Sequence, residues 1–305
     1  MITPEQRKKY KDELSKIDRI LLDWEENSEP WVITNYINRK GKQKSKIEPI
    51  TTERFLNPLL EGKIVIMMSA TLSKLDGWEY IEAPSPFPIN LRQWQYLPLG
   101  RMSMKYRDAT LPKVADWMRT LTGKTLVHCV SYDTAAKLAS LLRVRGIYPL
   151  LQTNDDDDIN EDTVRRWDAV RAFKEAKDPN KILLSVKLER GTDFPEPEIV
   201  NNVILAVPFP NPTDNLTRAK NNTIGLSWQD SQVARTIEQS YGRINRNADK
   251  RTMTYMVDSN FNNLEMSFWY QRNRKYFHQW YMEAELGYNK VLHEVSKIPI
   301  AQVRQ

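Results

Sequence analysis

The chain has 305 residues, 45 Lys and Arg against 39 Asp and Glu, and a formal charge of +6, a balance that mildly favours an anionic partner. A single cysteine, Cys129, excludes disulfide frameworks, Cys-based zinc sites and an iron–sulfur cluster held by this chain, and the three histidines show no metal-ligand spacing. The polar start after Met1 excludes a signal peptide, and runs such as Ile64–Met68 are too short to span a bilayer, so an intracellular, cytoplasmic protein is expected.

Thr3-Pro4-Glu5-Gln6 reads as a helix start, with Thr as N-cap, Pro at the first helical position and Gln closing a capping box. Tyr10, Leu14, Ile17, Leu21 and Trp24 follow at helical steps and predict one amphipathic helix. Trp31–Ile37 and Lys46–Ile50 predict strands around a basic turn, Arg39 to Lys44. That turn is either a solvated hairpin tip or a phosphate contact. Lys63 to Leu72 predicts a buried strand running into the small-residue loop Ser69-Ala70-Thr71, because a continuous apolar run fits a parallel sheet covered on both faces.

Prolines at 84, 86 and 88 punctuate the chain and mark a plausible domain boundary. Beyond them helix and strand alternate, which predicts a doubly wound α/β domain. Residues 113–121 read as a helix and Lys124–Val130 as a strand. Ser131 or Asp133 then caps a helix running to about Arg145. Thr122-Gly-Lys-Thr125 is not a Walker A loop. Position 118, where that motif needs Gly, is Met, and the tetrapeptide precedes a strand instead of following one. Asp155–Asp158 lacks calcium-loop spacing and reads as a solvated loop before a helix from Glu161 to Lys177.

Lys181–Val186 and Val200–Val207 predict two more buried strands, separated by a loop that contains Arg190-Gly191-Thr192-Asp193. Asn221–Leu226 reads as a polar linker. Ala234 to Arg246 predicts a helix with Gln239, Arg243 and Arg246 at i, i+4 and i+7, on one face. Such a face is either solvated or a fork for phosphate or carboxylate. Gly242 inside a helix costs about 1 kcal/mol against Ala and predicts a close approach to the backbone. Thr252–Asp258 predicts a final strand. Among the aromatics of residues 264–285, Trp269, Tyr276 and Trp280 sit at helical spacing, which favours core packing over stacking on bases.

Taken in order, these motifs resemble the C-terminal half of superfamily 2 helicases of the XPD/DinG group, over roughly residues 50–285. They are Ser69-Ala-Thr-Leu72, Ser85-Pro-Phe-Pro88, the strand–Ser131–helix unit, Glu189-Arg-Gly-Thr-Asp-Phe194, Pro208-Phe-Pro210 and Gln239-Ser-Tyr-Gly-Arg-Ile-Asn-Arg246. The resemblance implies a RecA-like second motor domain, a parallel sheet with helices on both faces, over residues 84–285. Residues 1–83 would then be a remnant of the first motor domain with an inserted segment, and 286–305 a tail.

It implies further that Arg243 and Arg246 act as arginine fingers on ATP, with Gln239 on the same face. Gly191, Thr192 and Asp193 would link nucleotide state to DNA grip, and Ser69 and Thr71 would couple hydrolysis to domain movement. Ser131, Tyr132, Arg190 and Thr192 would contact single-stranded DNA. Many relatives carry Glu immediately before the motif Gly; here Arg190 stands there and Glu189 one place earlier. No Walker A lysine and no acidic magnesium box occur in these residues. ATP and Mg2+ would therefore be held mostly by an N-terminal helicase half, on a separate chain or removed from this one. The alternative is a nucleic-acid-binding or regulatory protein that keeps the fold without catalysis.

Overall fold

In the computed structural model the described residues are 8, 11, 12, 15, 18, 31–37, 41–69, 71, 78–83, 85–152, 168–186, 199–245, 249–264, 266 and 268–286. Their strands are β1 (Trp31–Ile37), β2 (Gln43–Pro49), β3 (Arg92–Gly100), β4 (Lys124–His128), β5 (Leu150–Leu151), β6 (Ile182–Ser185), β7 (Ile199–Ile204) and β8 (Thr252–Asp258). The helices are α1 (Glu53–Leu60), α2 (Arg107–Met118), α3 (Tyr132–Val144), α4 (Asn215–Thr223), α5 (Leu226–Tyr241), α6 (Trp269–Asn273) and α7 (Gln279–Met282), with a further helix through residues 168–175. The chain forms two compact units, Met1–Met67 with Pro210–Gln229, and Met68–Phe209 with Asp230–Gln305.

In the first unit β1 and β2 pair antiparallel, Trp31 opposite Pro49 and Ile37 opposite Gln43. An isolated two-stranded ribbon is marginally stable, and α4 packs on β1 to support it. Asp214 caps α4, its carboxylate accepting from the Thr217 N–H at 2.8 Å and the Thr217 hydroxyl at 3.0 Å. The polar linker expected at 221–226 is thus partly helix, stabilised by this cap. Lys8, Lys11, Asp12, Ser15 and Asp18 are helical where the N-terminal helix is expected, while its apolar stripe lies outside the described residues.

The strand expected from Lys63 is not formed. Residues 64–69 pair with no sheet, and Ile64, Ile66 and Met68 are 98, 80 and 89% exposed. A run of this composition needs neighbours on both faces, and among the described residues it joins neither sheet.

The second unit is built on a six-stranded sheet in the order β3-β8-β7-β4-β6-β5, every neighbouring pair parallel. Side chains alternate across it, as strand geometry requires. Val127, Leu184, Val203 and Val257 face α2 and α3. Leu126, Leu183, Ile204 and Met256 face the other way, toward α5, residues 168–175 and the C-terminal aromatics. Each such side chain, fully buried, contributes about 1.5–3 kcal/mol.

The aromatics form a core, as the helical spacing suggests, and Trp269 is buried in it, but most of its members are other residues. Trp94, Tyr270, Phe277 and Tyr281 pack together, with Trp94 stacked on Tyr281 at 4.9 Å, whereas Tyr276 and Trp280 are only partly buried. The reason is local: α6 and α7 are short helices joined by a 3₁₀ turn at Arg274–Tyr276, so no single stripe runs through them. The chain then closes on β3, with the Trp94 N–H donating to the Ala284 carbonyl at 2.9 Å.

Candidate functional site

Parallel strands put their loops on two opposite rims of the sheet, and α5 must run back from the end of β7 to the start of β8. Its last turn therefore lies at the rim where β3 and β8 begin. Hydrogen bonds fix it there: the Tyr241 hydroxyl donates to the Arg92 carbonyl, and the Thr252 hydroxyl donates to Asn245 Oδ1 at 2.6 Å. Arg92 and Thr252 are register partners at the starts of β3 and β8.

On this turn Gln239 Nε2 donates to Thr71 Oγ1 at 3.1 Å, and the Thr71 N–H in turn donates to Ser69 Oγ at 3.3 Å. Three of the residues singled out in sequence, Ser69, Thr71 and Gln239, are therefore brought together. Thr71 is buried and Ser69 exposed, so the loop is pinned at one end and open at the other.

The helix expected through Arg246 stops at Tyr241. Arg243 follows in a tightened turn, its N–H donating to the Ser240 carbonyl at 3.3 Å, and it is part-buried. Gly242 lies past the helix end, and a Cβ there would meet only the carbonyl oxygens of Glu238 and Gln239, at 3.4 and 3.8 Å. The expected close approach to Gly242 is thus absent among the described residues. Arg246 lies outside them, as do Arg190, Gly191, Thr192 and Asp193.

Beneath this turn is a layer of buried polar groups that the sequence reading did not single out. Glu238, almost fully buried, accepts from the His278 N–H at 2.6 Å and lies 2.8 Å from His278 Nδ1. Burial pushes its carboxyl above the usual range, and His278 holds it back. Asn202 Nδ2 donates to the Ser240 carbonyl at 3.0 Å. His128 Nε2 and Asn202 Oδ1 are buried and complete no hydrogen bond of normal geometry. Burial, and then the charge of Arg243, lower the His128 pKa to about 4, so its ring is neutral at pH 7.

Ser131 lies at the opposite rim, beyond the end of β4. It is the N-cap of α3, accepting from the Thr134 N–H at 3.2 Å, which decides between Ser131 and Asp133. Arg107 reaches the same turn, Nη1 donating to Thr134 Oγ1 at 3.0 Å and Nη2 pairing with Asp133 at 2.7 Å. Tyr132 neighbours Gln152 Nε2 at 3.5 Å, and Gln152 Oε1 accepts from the Val186 N–H at 3.0 Å. Val186 is the last described residue before the loop holding Arg190 to Asp193. One glutamine thus joins the Ser131–Tyr132 turn to the base of that loop.

Lys124 of the Walker-like tetrapeptide is buried at the start of β4, its Nζ donating to the Lys174 carbonyl at 3.1 Å. It is unavailable to a phosphate. Gly123 makes the turn before it at φ +93°, where a Cβ would lie 2.2 Å from Val200 Cγ2. Among the described residues no group of three or more His, Cys, Asp or Glu could hold a metal, and no helix is long and apolar enough to cross a membrane. Of the residues expected to face the nucleotide, Gln239 and Arg243 are described, four positions apart across the end of α5.

The helicase C-terminal domain family matches residues 114–284, more than half of the chain. The chain belongs to that family. A search of curated proteins found no match. Two solved structures are similar to this helicase C-terminal domain. The structure of S. tokodaii Xpd4 is 19% identical with a TM-score of 0.52, covering 79% of this chain and 48% of that one. An XPD helicase structure is 19% identical with a TM-score of 0.54, covering 80% of this chain and 46% of that one. At that identity the likeness is one of fold: a RecA-like parallel sheet with helices on both faces, as the ordered motifs imply. The chain spans about half the length of either structure.

Proposed function

We propose that this helicase C-terminal domain is the second motor half of an ATP-driven DNA helicase. It would complete an ATP site whose phosphate cradle and Mg2+ ligands belong to a first motor domain carrying a Walker A motif. The observation that carries this reading is the hydrogen bond from Gln239 to Thr71. It ties the Ser-Ala-Thr loop to the turn that presents Arg243, so that movement of one is felt by the other. Arg243 would neutralise charge on the transferred phosphoryl group, an effect on the order of 10³–10⁵ in rate for an arginine finger. Arg246 would act beside it, a role that rests on its spacing in sequence.

The exposed run Ile64–Met68 supports the same reading. It leads directly into Ser69 and Thr71, and it has the composition of a strand buried on both faces. The sheet of the first motor domain would cover it. At the other rim, Ser131 and Tyr132, with Arg190 and Thr192 from the neighbouring loop, would hold single-stranded DNA, a phosphate at the α3 N-terminus being favoured by the helix dipole.

The test is ATP hydrolysis stimulated by single-stranded DNA, measured for this chain alone and after addition of a first motor domain with an intact Walker A lysine. No activity alone and turnover on mixing is expected. Robust hydrolysis by the isolated chain would overturn the shared-site reading.

A further inference from the structure

The β1–β2 ribbon belongs to a different unit from Ser131, Gln239 and Arg243, and its chemistry is one-sided. Between Trp31 and Pro49 there are five basic residues and one acidic residue, Glu48. Lys44 and Lys46 alternate along β2, so they share one face, about 6.8 Å apart, and Lys42 stands immediately before the strand. Tyr36 stands directly opposite Lys44 in the register, on that same face, and is 46% exposed. Lys46 is paired with Glu48 at 2.7 Å, and all three lysines are exposed.

Lysines on a two-stranded sheet also block edge-to-edge pairing. That duty requires neither a single face nor an exposed tyrosine among them. A nucleic-acid strand requires both. Its backbone carries one negative charge per nucleotide, so a row of lysines on one face meets a row of phosphates, and an aromatic ring beside them offers a base a stacking platform.

We infer that the β1–β2 ribbon is a second nucleic-acid contact, holding the backbone of a single strand along Lys42, Lys44 and Lys46 with a base stacked on Tyr36. This contact lies in the other structural unit from Ser131 and Arg243, and it needs no nucleotide.

The experiment is the anisotropy of labelled oligo(dT) titrated with the 305-residue chain over a salt series without ATP. The variant Lys42→Gln/Lys44→Gln/Lys46→Gln is expected to bind about 10- to 100-fold more weakly at low salt. Its slope of log affinity against log salt should be shallower by about 2, since each phosphate contact on a single strand contributes about 0.7. The corresponding triple Arg variant should keep the parental slope. Tyr36→Ala should weaken binding about tenfold at every salt concentration with the slope unchanged, and Tyr36→Phe should restore it. An unchanged slope in a triple Gln variant with the parental circular dichroism would overturn the inference, as would equal losses for Tyr36→Ala and Tyr36→Phe. So would a loss confined to duplex DNA. Arg243→Ala, which tests the motor reading, should leave this binding intact.

Discussion

Gln239 Nε2 donates to Thr71 Oγ1 at 3.1 Å, joining two motifs that lie 168 positions apart in the chain. A neutral hydrogen bond contributes about 1 kcal/mol net, so its loss is expected to lower the single-strand-stimulated ATPase of the assembled motor about fivefold. Gln239→Ala and Thr71→Val should each do this, and the double variant should be no worse than the poorer single one. Effects that multiply instead would mean that the two side chains act independently.

Gly123 turns the chain into β4 at φ +93°, with no room for a methyl group against Val200. Gly123→Ala combines backbone strain with overpacking and should cost about 2–5 kcal/mol in urea unfolding. A loss below about 1 kcal/mol would show that the turn relaxes around the added group.

Lys124 is a buried structural lysine in this account. Lys124→Met should leave the ATPase of the assembled motor within about threefold of the parent. Abolished hydrolysis in a variant with parental unfolding behaviour would return Lys124 to a phosphate-binding role.

His128 gives the fold an acid sensitivity. Its pKa falls from the ordinary 6.5 to about 4 in the folded chain, by burial first and by Arg243 second. The unfolded chain therefore binds this proton at a higher pH than the folded one. Stability from the neutral ring is complete above pH 6.5 and is lost as pH falls toward 4, by at most about 1.4 kcal/mol per pH unit. The raised carboxyls of Glu238 and Asp258 have the opposite sign, since their stability is lost as pH rises. The comparison that isolates His128 is urea unfolding at pH 7.5 and pH 5 against His128→Gln, which should show the smaller drop. Equal drops would place the sensitivity elsewhere.

Much of the sheet was legible because its strands announce themselves. Val127 and Leu126, or Leu184 and Leu183, are apolar on both faces because both faces are covered. The same rule misled at Ile64–Met68, where the composition of a buried strand occurs without a sheet beside it. Strand β3 escaped notice because Gln93 and Gln95 break the apolar run, and α4 because its asparagines and threonines carry little helical signal without the Asp214 cap. At the site, Gln239 and Thr71 could be named from their motifs. Glu238, His128 and Asn202 could not, because each earns its place through partners remote in sequence, such as His278 for Glu238.

The central claim is that Arg243 serves an ATP site completed by another domain. The most direct measurement compares Arg243→Ala with the parent in the assembled motor, reading ATP turnover and single-strand affinity side by side. A fall in turnover on the order of 10³ or more with affinity unchanged is predicted. Turnover that survives, or affinity that falls in step with it, would contradict the claim.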